Sequence, residues 1–279
     1  MQRERVAESI YVFTSDRYLQ VTAGVIVTPQ GCVVIDTLPF PSESRELLAF
    51  ARRVCKRGIR YVVNTHYHAD HTFGNCFFKG IPLIGHELTR RTLEKIGDSA
   101  LKEAQAEDAE LAEVSVCVPD ITYKGKATIR LGNFTIELIE APGNSADGTM
   151  VYINEEKVLF AGDAMLPVPY IVSGDVDALL DTLAKMRGMS IESLVQGHGD
   201  VLLRGEIPES IDAAVAYLKR LRQYVQKAKE QGLSERDLLR WDIESAGLSR
   251  IPLGGLVQDL HRANLLALFR GQPAQAAAA

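Results

Sequence analysis

Hydrophobic and polar positions follow two different periods along the first two thirds of the chain. Short runs rich in valine and isoleucine, bounded by turn residues, predict strands, whereas apolar residues three or four positions apart predict amphipathic helices. Strands are predicted at residues 10–13, 19–28, 32–36, 59–64, 121–123, 127–131, 134–140, 150–153, 157–161 and 191–196. Helices are predicted at 41–56, 88–114 and 175–186, and the Gly97-Asp98-Ser99 segment is expected to break the second one in two.

The last third of the chain has a helical pattern throughout. Beyond Pro208, one apolar stripe runs from Ile211 to Ala228 and a shorter one from Leu253 to Phe269. Because β-rich stretches alternate with helices in two halves, we expect an α/β or α+β fold in which helices cover the outer faces of sheets. We also expect a core at residues 1–206, a helical extension at 207–272 packed on the same domain, and a disordered tail at 273–279.

Composition and charge narrow the classes of function. The chain has 279 residues, of which 46% are hydrophobic, so it can bury a sizeable core without disulfides or metal. Its formal net charge of −5 gives no support to nucleic-acid binding. Residues 101–120 account for this whole excess of negative charge, and we interpret them as the solvated face of a helix.

No segment indicates secretion or membrane insertion. The N-terminus lacks the apolar run of a signal peptide, and no window approaches the roughly 18 uninterrupted apolar residues that a membrane span needs. The four cysteines, Cys32, Cys55, Cys76 and Cys117, are widely spaced and form no C-x-x-C pair. We therefore expect a soluble, cytoplasmic protein in a reducing setting, with no membrane or nucleic-acid partner.

The residues that can carry chemistry are concentrated after the predicted strand at 59–64. His66, His68 and His71 are half of the six histidines of the chain and share a six-residue window with Asp70. His66 and His68 point to one face because they lie two apart at a strand end, and a turn brings Asp70 and His71 back toward the same point. Neutral imidazoles and a carboxylate suit zinc, iron or manganese, so this loop predicts a metal site.

Two later strands end in further donors. Asp163 follows one apolar strand, and His198 follows the next one between two glycines. A single loop cannot complete two coordination spheres, so donors from other strand ends are needed. Asp36 and Thr65 are candidates for residues that orient the ligating imidazoles.

At these positions the sequence resembles the metallo-β-lactamase superfamily. Thr65–His71 matches the family's H-x-H-x-D-H motif, Gly162-Asp163 its bridging-aspartate motif, and Gly197-His198-Gly199 its last histidine motif. Asp36 is similar to the family's early strand-end aspartate. The resemblance implies a four-layer αβ/βα sandwich of the α+β class, with C-terminal helices and a two-metal cleft at one edge of the sheets.

The resemblance also implies how the donors are shared between two ions. His66 and His68 would hold one metal, and Asp163 would bridge the two. The second metal would be held by the remaining donors, which are Asp70, His71 and His198.

One position departs from the family's pattern. The third motif, usually P-G-H-[ST], is Pro142-Gly143-Asn144-Ser145 here, so Asn144 stands where a histidine would complete the first metal site. An amide oxygen is a neutral donor that suits harder ions better than zinc. We therefore predict a strong second site and a weakened first one. A natural one-metal variant, a branch that uses a different metal and an inactivating substitution all fit this pattern.

The resemblance implies a hydrolase that uses one or two zinc ions per chain, with iron or manganese as alternatives. A metal-bound hydroxide would attack the carbonyl of a small-molecule ester, lactone, thioester or amide, with Asp70 as general acid or base. Tyr170 and Leu166 are expected to line the substrate pocket. Leu166 stands where the family's homoserine-lactone lactonases carry a tyrosine, which weakens that particular assignment.

Other functions stay open at this point. One is a one-iron oxidoreductase similar to the family's persulfide dioxygenases, although those enzymes use the third-motif histidine as an iron ligand and Asn144 replaces it here. Another is a cyclase-like relative or a metal-binding protein without activity. The C-terminal helices are expected to cap the cleft or to form a homodimer contact.

Overall fold

The computed structural model of the protein describes residues 1–271, so the tail predicted at 273–279 lies outside the described residues. The strands of this part are β1 (Gln2–Ala7), β2 (Ile10–Thr14), β3 (Thr22–Thr28), β4 (Gly31–Ile35), β5 (Ile59–Val63), β6 (Leu83–His86), β7 (Ile121–Tyr123), β8 (Lys126–Leu131), β9 (Phe134–Glu140), β10 (Thr149–Ile153), β11 (Val158–Phe160), β12 (Ser193–Val195) and β13 (Val201–Leu203). Its α-helices are α1 (Pro41–Val54), α2 (Ala69–Thr72), α3 (Glu87–Glu107), α4 (Val176–Arg187), α5 (Ile207–Glu230), α6 (Glu235–Leu238) and α7 (Val257–Arg270).

The strands form two mixed sheets. The first has the order β1 to β7, antiparallel from β1 to β4 and parallel from β4 to β7. The second has the order β13-β12-β11-β10-β9-β8, antiparallel throughout except for the pair β11–β12. Each sheet therefore contains parallel neighbours whose carboxyl ends meet at one edge.

Strand alternation explains the layers. Val33 and Ile35 of β4 pack between the two sheets against residues such as Ile136, whereas Val34 between them faces Leu47 of α1. On the other side, α4, α5 and α7 share a core cluster with residues of the second sheet. Helices thus cover the outer face of each sheet, and the expected four-layer α+β sandwich is confirmed. The boundary predicted at residues 206 and 207 stays a prediction, although α5 begins there.

α3 is one unbroken helix, so the break predicted at Gly97 is wrong. A Cβ at this position would lie 2.8 Å from Cγ1 of Val116, which is closer than two carbon atoms can approach. Gly97 therefore serves the close packing of the following segment on the helix, and its lack of a side chain is used for space rather than for a turn.

The acidic segment at residues 101–120 is only in part a helix face. Glu110 and Glu113 lie in a 3-10 turn beyond α3 and form ion pairs with Arg17 and Arg45. These pairs are largely exposed, so each contributes little to stability. The predicted solvation of the segment holds for these side chains, but they do not share one helix.

The C-terminal third is less helical than its apolar pattern predicts. α5 ends at Glu230 and α7 begins at Val257, and residues 231–256 between them hold only the short α6 and a 3-10 turn. Ser234 and Asp242 accept hydrogen bonds from backbone N–H groups three residues on. Such side-chain bonds give the backbone an alternative to a continuous helix. Within residues 1–271, no helix combines the length and apolar character that a bilayer span requires.

Two of the four cysteines are joined. Cys32 in β4 and Cys55 directly after α1 form a disulfide, with Cα atoms 5.7 Å apart. Cys76 and Cys117 are free. The pairing departs from the reduced cysteines expected of a cytoplasmic protein, because disulfides are rare in reducing compartments. The cytoplasmic location itself stays a prediction.

Candidate metal centre

The candidate site lies where the carboxyl ends of parallel strands from both sheets converge. β4 and β5 are parallel neighbours, so Asp36 and the 64–68 loop leave the first sheet at the same edge. β11 and β12 are parallel in the second sheet and are followed by Asp163 and His198. The Thr22 N–H donates to the carbonyl of Gly197 at 2.9 Å and ties the two edges together. Residues remote in the sequence are thereby collected at one point.

Three donors form a first group. Nε2 of His66 lies 2.8 Å from Nδ1 of His68 and 3.5 Å from Oδ2 of Asp163. Nδ1 of His68 lies 3.9 Å from the same carboxylate oxygen. One ligand atom from each residue therefore fits within a span of 4.8 Å, which is the spacing that a single metal ion requires.

A second group of three donors lies beside the first. Nε2 of His198 is 3.0 Å from Oδ2 of Asp70, and Nε2 of His71 is 3.6 Å from the same oxygen. Oδ1 of Asp163 lies 3.3 Å from Nε2 of His71 and 3.7 Å from Nε2 of His198. Asp163 thus presents one oxygen to each group of donors.

Close packing holds the Asp163 carboxylate between the groups. A Cβ at residue 197 would lie 2.1 Å from Oδ1 of Asp163, so only glycine leaves room for this side chain. Asp163 is the second residue of the short 3-10 turn Gly162–Ala164, which follows β11 after Ala161, and it is 8% exposed. Gly197 in the last histidine motif is therefore explained by the carboxylate it accommodates.

Hydrogen bonds fix which nitrogen each buried imidazole presents. Nδ1 of His71 lies 2.8 Å from Oδ2 of Asp36, and Nδ1 of His198 lies 2.9 Å from the carbonyl of Leu19. Both oxygens can only accept a hydrogen bond, so each Nδ1 carries the hydrogen. Each Nε2 therefore faces the other metal-donor side chains. Such bonds are how proteins orient metal-ligating histidines.

Thr65 extends this network to His66. Its N–H and its hydroxyl both donate to the Asp36 carboxylate, at 2.8 and 2.7 Å. The hydroxyl hydrogen is thereby used, so the oxygen can accept from Nδ1 of His66 at 3.1 Å. Asp36 and Thr65 therefore stand where residues that orient the imidazoles are expected, beside His71 and His66.

Asn144 contacts the backbone of a cavity residue, Tyr170. Its Nδ2 donates to the carbonyl of Tyr170 at 3.1 Å, and its side chain is buried. Its Oδ1 is also buried and has no hydrogen-bond partner among the described residues. The amide is thus held by one bond, and its acceptor oxygen is left free for another group.

The carboxylates and the imidazoles of the two groups shift one another's pKa values. Burial acts to raise the pKa of Asp70 and of Asp163, but the neighbouring imidazoles outweigh it and lower the pKa of both carboxylates. Burial likewise acts to lower the pKa of His71 and of His198, and the carboxylates outweigh it and raise both. For His66 burial prevails, and its pKa is lowered. Without an ion, the anionic carboxylates of Asp70 and Asp163 are therefore paired with His71 and His198, whose charged forms they favour.

A cavity of about 380 Å³ adjoins the donors and is lined by His68, Asp70, Asp163 and His198. Leu166 and Tyr170 also line it, as the sequence predicts. Several other lining residues were not expected, because an apolar residue on a helix face gives no sign of whether it meets a core or a cavity. These are Tyr18, Leu19, Tyr67, Ala69, Phe73, Leu93, Ile96, Gly97, Ala100, Leu253 and Leu260.

The donor set fits a divalent transition metal. Nε2 of His71 and Oδ1 of Asp163 are buried and have no hydrogen-bond partner among the described residues. Unpaired buried polar atoms are costly, so their presence on two adjacent donors indicates a missing ligand. Imidazole nitrogen and carboxylate oxygen are ligands that zinc, iron and manganese accept.

Two sheets between helices, with histidine and aspartate donors collected at the strand ends, define a metal-binding protein of αββα architecture. The family model described as the metallo-beta-lactamase superfamily matches residues 16–198. The chain therefore belongs to the metallo-beta-lactamase superfamily. A metallo-beta-lactamase from Pontibacter korlensis has a similar fold, with a TM-score of 0.62, 20% identity, and coverage of 78% of this chain and 98% of that one.

Three curated relatives with different names match part of the chain. The Beta-lactamase-like protein 2 homolog of Caenorhabditis elegans is 26% identical over 70% of this chain and 63% of its own length. The hydroxyacylglutathione hydrolase of Brucella ovis is 26% identical over 72% of this chain and 65% of its own. The linear primary-alkylsulfatase of a Pseudomonas strain is 22% identical over 70% of this chain and 45% of its own. The matches thus span less than two thirds of each relative.

Asp36→Asn should weaken zinc binding about 10–100-fold, the usual cost of losing a partner that orients a ligand. Asparagine tolerates the left-handed backbone of residue 36, where φ is 54°, so the fold should be retained. It lacks the negative charge and has one accepting oxygen in place of two, so it cannot accept from the Thr65 N–H, the Thr65 hydroxyl and His71 together. Zinc affinity measured by competition with a chelating dye checks this. An exposed control, Asp212→Asn, should bind as the unmodified chain does, and equal affinities in all three proteins would contradict the role of Asp36.

Proposed function

We propose that the chain is a metal-dependent hydrolase, with zinc as its metal, that attacks the carbonyl carbon of a small ester, lactone, thioester or amide. The observation that carries this proposal is the pair of donor groups that share Asp163 at the wall of a 380 Å³ cavity. A cavity of this size lies within the range of about 300–1,000 Å³ that is typical of small-molecule sites. Relatives named as hydrolases support the reaction class at this coarse level.

In this proposal the two groups hold separate ions and have one ligand in common. His66, His68 and Asp163 would hold the first ion. Asp70, His71 and His198 would hold the second ion, with Asp163 as the ligand in common. In the order of the family's motifs, Asn144 has the position of the histidine that would complete the first group. Its amide is neutral, so the second group is the stronger one.

A divalent ion bound there would lower the pKa of water toward about 7 and polarise the substrate carbonyl. Asp70 supplies the proton-accepting group. Its lowered pKa keeps the carboxylate ionised at neutral pH, and its side chain lines the cavity. It can therefore accept a proton from the attacking water and pass it to the leaving group.

Two tyrosines of the cavity can donate to the substrate. Burial raises the pKa of Tyr18 to about 12, and it also raises the pKa of Tyr170. Each phenol therefore keeps its proton at neutral pH. A protonated hydroxyl beside the reacting carbonyl stabilises the negative charge that develops on its oxygen. We assign this role to Tyr170. Leu166 forms a wall of the same pocket.

The names of the relatives suggest two narrower alternatives for this chain, a glutathione thioester and an alkyl sulfate. The proposed cytoplasmic location and a homodimer formed through the C-terminal helices complete the picture of the whole protein. The location and the homodimer are independent of the chemistry of the site. Disproof of either one would leave the proposed reaction unchanged.

The function is tested by assaying purified protein against a panel of 4-nitrophenyl esters, lactones, thioesters and amides, with the metal content measured in parallel. Removal of metal by a chelator should abolish turnover, and zinc should restore it. Asp70→Asn should lower kcat by about 10²–10⁴-fold, the usual contribution of a general base. Asp177→Asn, an exposed carboxylate elsewhere on the chain, serves as the matched control. Zinc-loaded protein that turns over no member of the panel, or iron-loaded protein that consumes oxygen, would contradict the proposal.

A further inference from the structure

We infer that the site takes an uncharged substrate with an alkyl chain of medium length, and that this chain lies between α3 and the C-terminal segment around α7. This inference rests on the proposed function and adds the class of substrate. It is carried by what the cavity is made of beyond the metal donors. The side chains that supply this apolar wall are Leu93, Ile96 and Ala100 from α3, Leu166 from the loop after β11, and Leu253 and Leu260 from the C-terminal segment.

The position of these residues shows that the apolar wall belongs to the donor cavity and not to the core alone. Ile96 is 37% exposed, although it lies on a helix that buries Leu93 and Leu101. Leu253 and Leu260 come from the C-terminal segment around α7, more than 50 residues after the last metal donor, His198. Two separate elements thus present apolar side chains to one cavity. An alkyl chain is the ligand that such a surface stabilises, because apolar contact is non-directional and grows with the area removed from water.

The charges around the cavity exclude an anionic tail. None of the described residues that line it is a lysine or an arginine, whereas Asp70 and Asp163 are carboxylates. A carboxylate or sulfate on the far end of a substrate would lose its hydration and find no positive partner there. A metal ion held by these donors would accommodate the negative charge that develops at the reacting carbonyl, but it would serve only that end of the substrate.

The rate should therefore follow the length of the chain. Each methylene group transferred from water to the cavity should raise kcat/KM about fourfold. We expect 4-nitrophenyl butanoate, hexanoate and octanoate to be hydrolysed with increasing kcat/KM, and the increase to stop when the cavity is filled. The mono-4-nitrophenyl ester of octanedioic acid has the same chain with a terminal carboxylate. It should react at least about tenfold more slowly than the octanoate, because the carboxylate must be desolvated.

A charge placed in the wall tests the location. Ile96→Lys adds a cation at a partly exposed position of α3, where the fold can tolerate it. This variant should lose the preference for longer uncharged chains and should gain on the carboxylated ester relative to the octanoate. Ile121→Lys is the matched control, because Ile121 is 45% exposed on β7 and does not line the cavity. It should keep the profile of the unmodified chain. Far-ultraviolet circular dichroism and thermal unfolding establish that both variants are folded.

Binding of 1-octanol, which has no carbonyl, separates this inference from the proposed function. A rise of Tm with 1-octanol in the unmodified chain and in Ile121→Lys, but not in Ile96→Lys, supports the alkyl site even if no ester is hydrolysed. That combination would overturn the proposed function alone. Ester hydrolysis with equal kcat/KM for butanoate and octanoate would overturn the alkyl site and leave the hydrolase standing. The alkyl site is also wrong if 1-octanol changes no Tm, or if Ile121→Lys alters the profile as Ile96→Lys does.

Discussion

Asp163→Ala should leave the purified protein without stoichiometric metal and without hydrolase activity. The change removes the one side chain that faces both donor groups, with Oδ2 3.5 Å from Nε2 of His66 and Oδ1 3.3 Å from Nε2 of His71. Loss of a residue that only orients a ligand costs about 10–100-fold in affinity, so loss of a shared ligand should cost more at each group. Metal content after dialysis, measured by elemental analysis, and kcat/KM for the best ester of the panel check this.

The physical reason is electrostatic as well as geometric. The pKa of Asp163 is held well below its usual range because the charges of His66, His198 and His71 outweigh its burial. The carboxylate is therefore ionised at neutral pH and offsets the charge of any ion that binds. In the alanine variant this negative charge is gone, and the buried histidines face one another without it. A divalent ion would then enter a site with less negative charge and one ligand fewer.

Two controls separate this role from a loss of structure. Asp163→Asn keeps the size of the side chain in the space that Gly197 leaves, so it tests the charge with little change of packing. Thermal unfolding of the metal-free proteins shows whether the alanine variant still folds. If a folded Asp163→Ala protein kept the metal content of the unmodified chain, the bridging assignment would be wrong.

The sequence was sufficient to predict which histidines and aspartates come together, because their positions depend on residue type and on strand ends. Asp70 and His71 follow the strand β5 within a few residues, and Asp163 and His198 follow β11 and β12. Since the carboxyl ends of parallel strands meet at one sheet edge, such residues come together whatever the details of the loops. The continuous apolar run of β4, from Cys32 to Ile35, is likewise typical of a strand buried on both faces.

Other features depend on contacts between distant segments and give no periodic signal. β1 is an exposed edge strand in which three of six residues are charged, so the alternation of a half-buried strand is absent from it. Gly97 indicates a break when its helix is considered alone, and only the neighbouring Val116 shows that it serves packing. Leu93 and Leu260 have the spacing of core residues, and an amphipathic pattern cannot distinguish a core from a cavity wall.

Asn144→His should raise the zinc content of the protein from about one ion per chain toward two, the number that a completed pair of transition-metal sites would hold. Asn144 is predicted to stand where the family's third motif has a histidine, and the first donor group consists of His66, His68 and Asp163 among the described residues. The Oδ1 of Asn144 is buried without a hydrogen-bond partner among the described residues. It is therefore free to accept a bond from a further group. A neutral amide oxygen suits hard ions, whereas an imidazole nitrogen is a preferred zinc ligand.

The variant must also replace the bond that now holds the amide. Nδ2 of Asn144 donates to the carbonyl of Tyr170, and the Nδ1–H of a histidine can donate in the same way while Nε2 binds the ion. Asn133→His, in the exposed turn between β8 and β9, controls for zinc bound by any added histidine. Elemental analysis after dialysis against buffered zinc should show the second ion in Asn144→His alone, accompanied by higher kcat/KM. If Asn144→His bound no more zinc than Asn133→His and were no more active, a weakened first site could not be attributed to this residue.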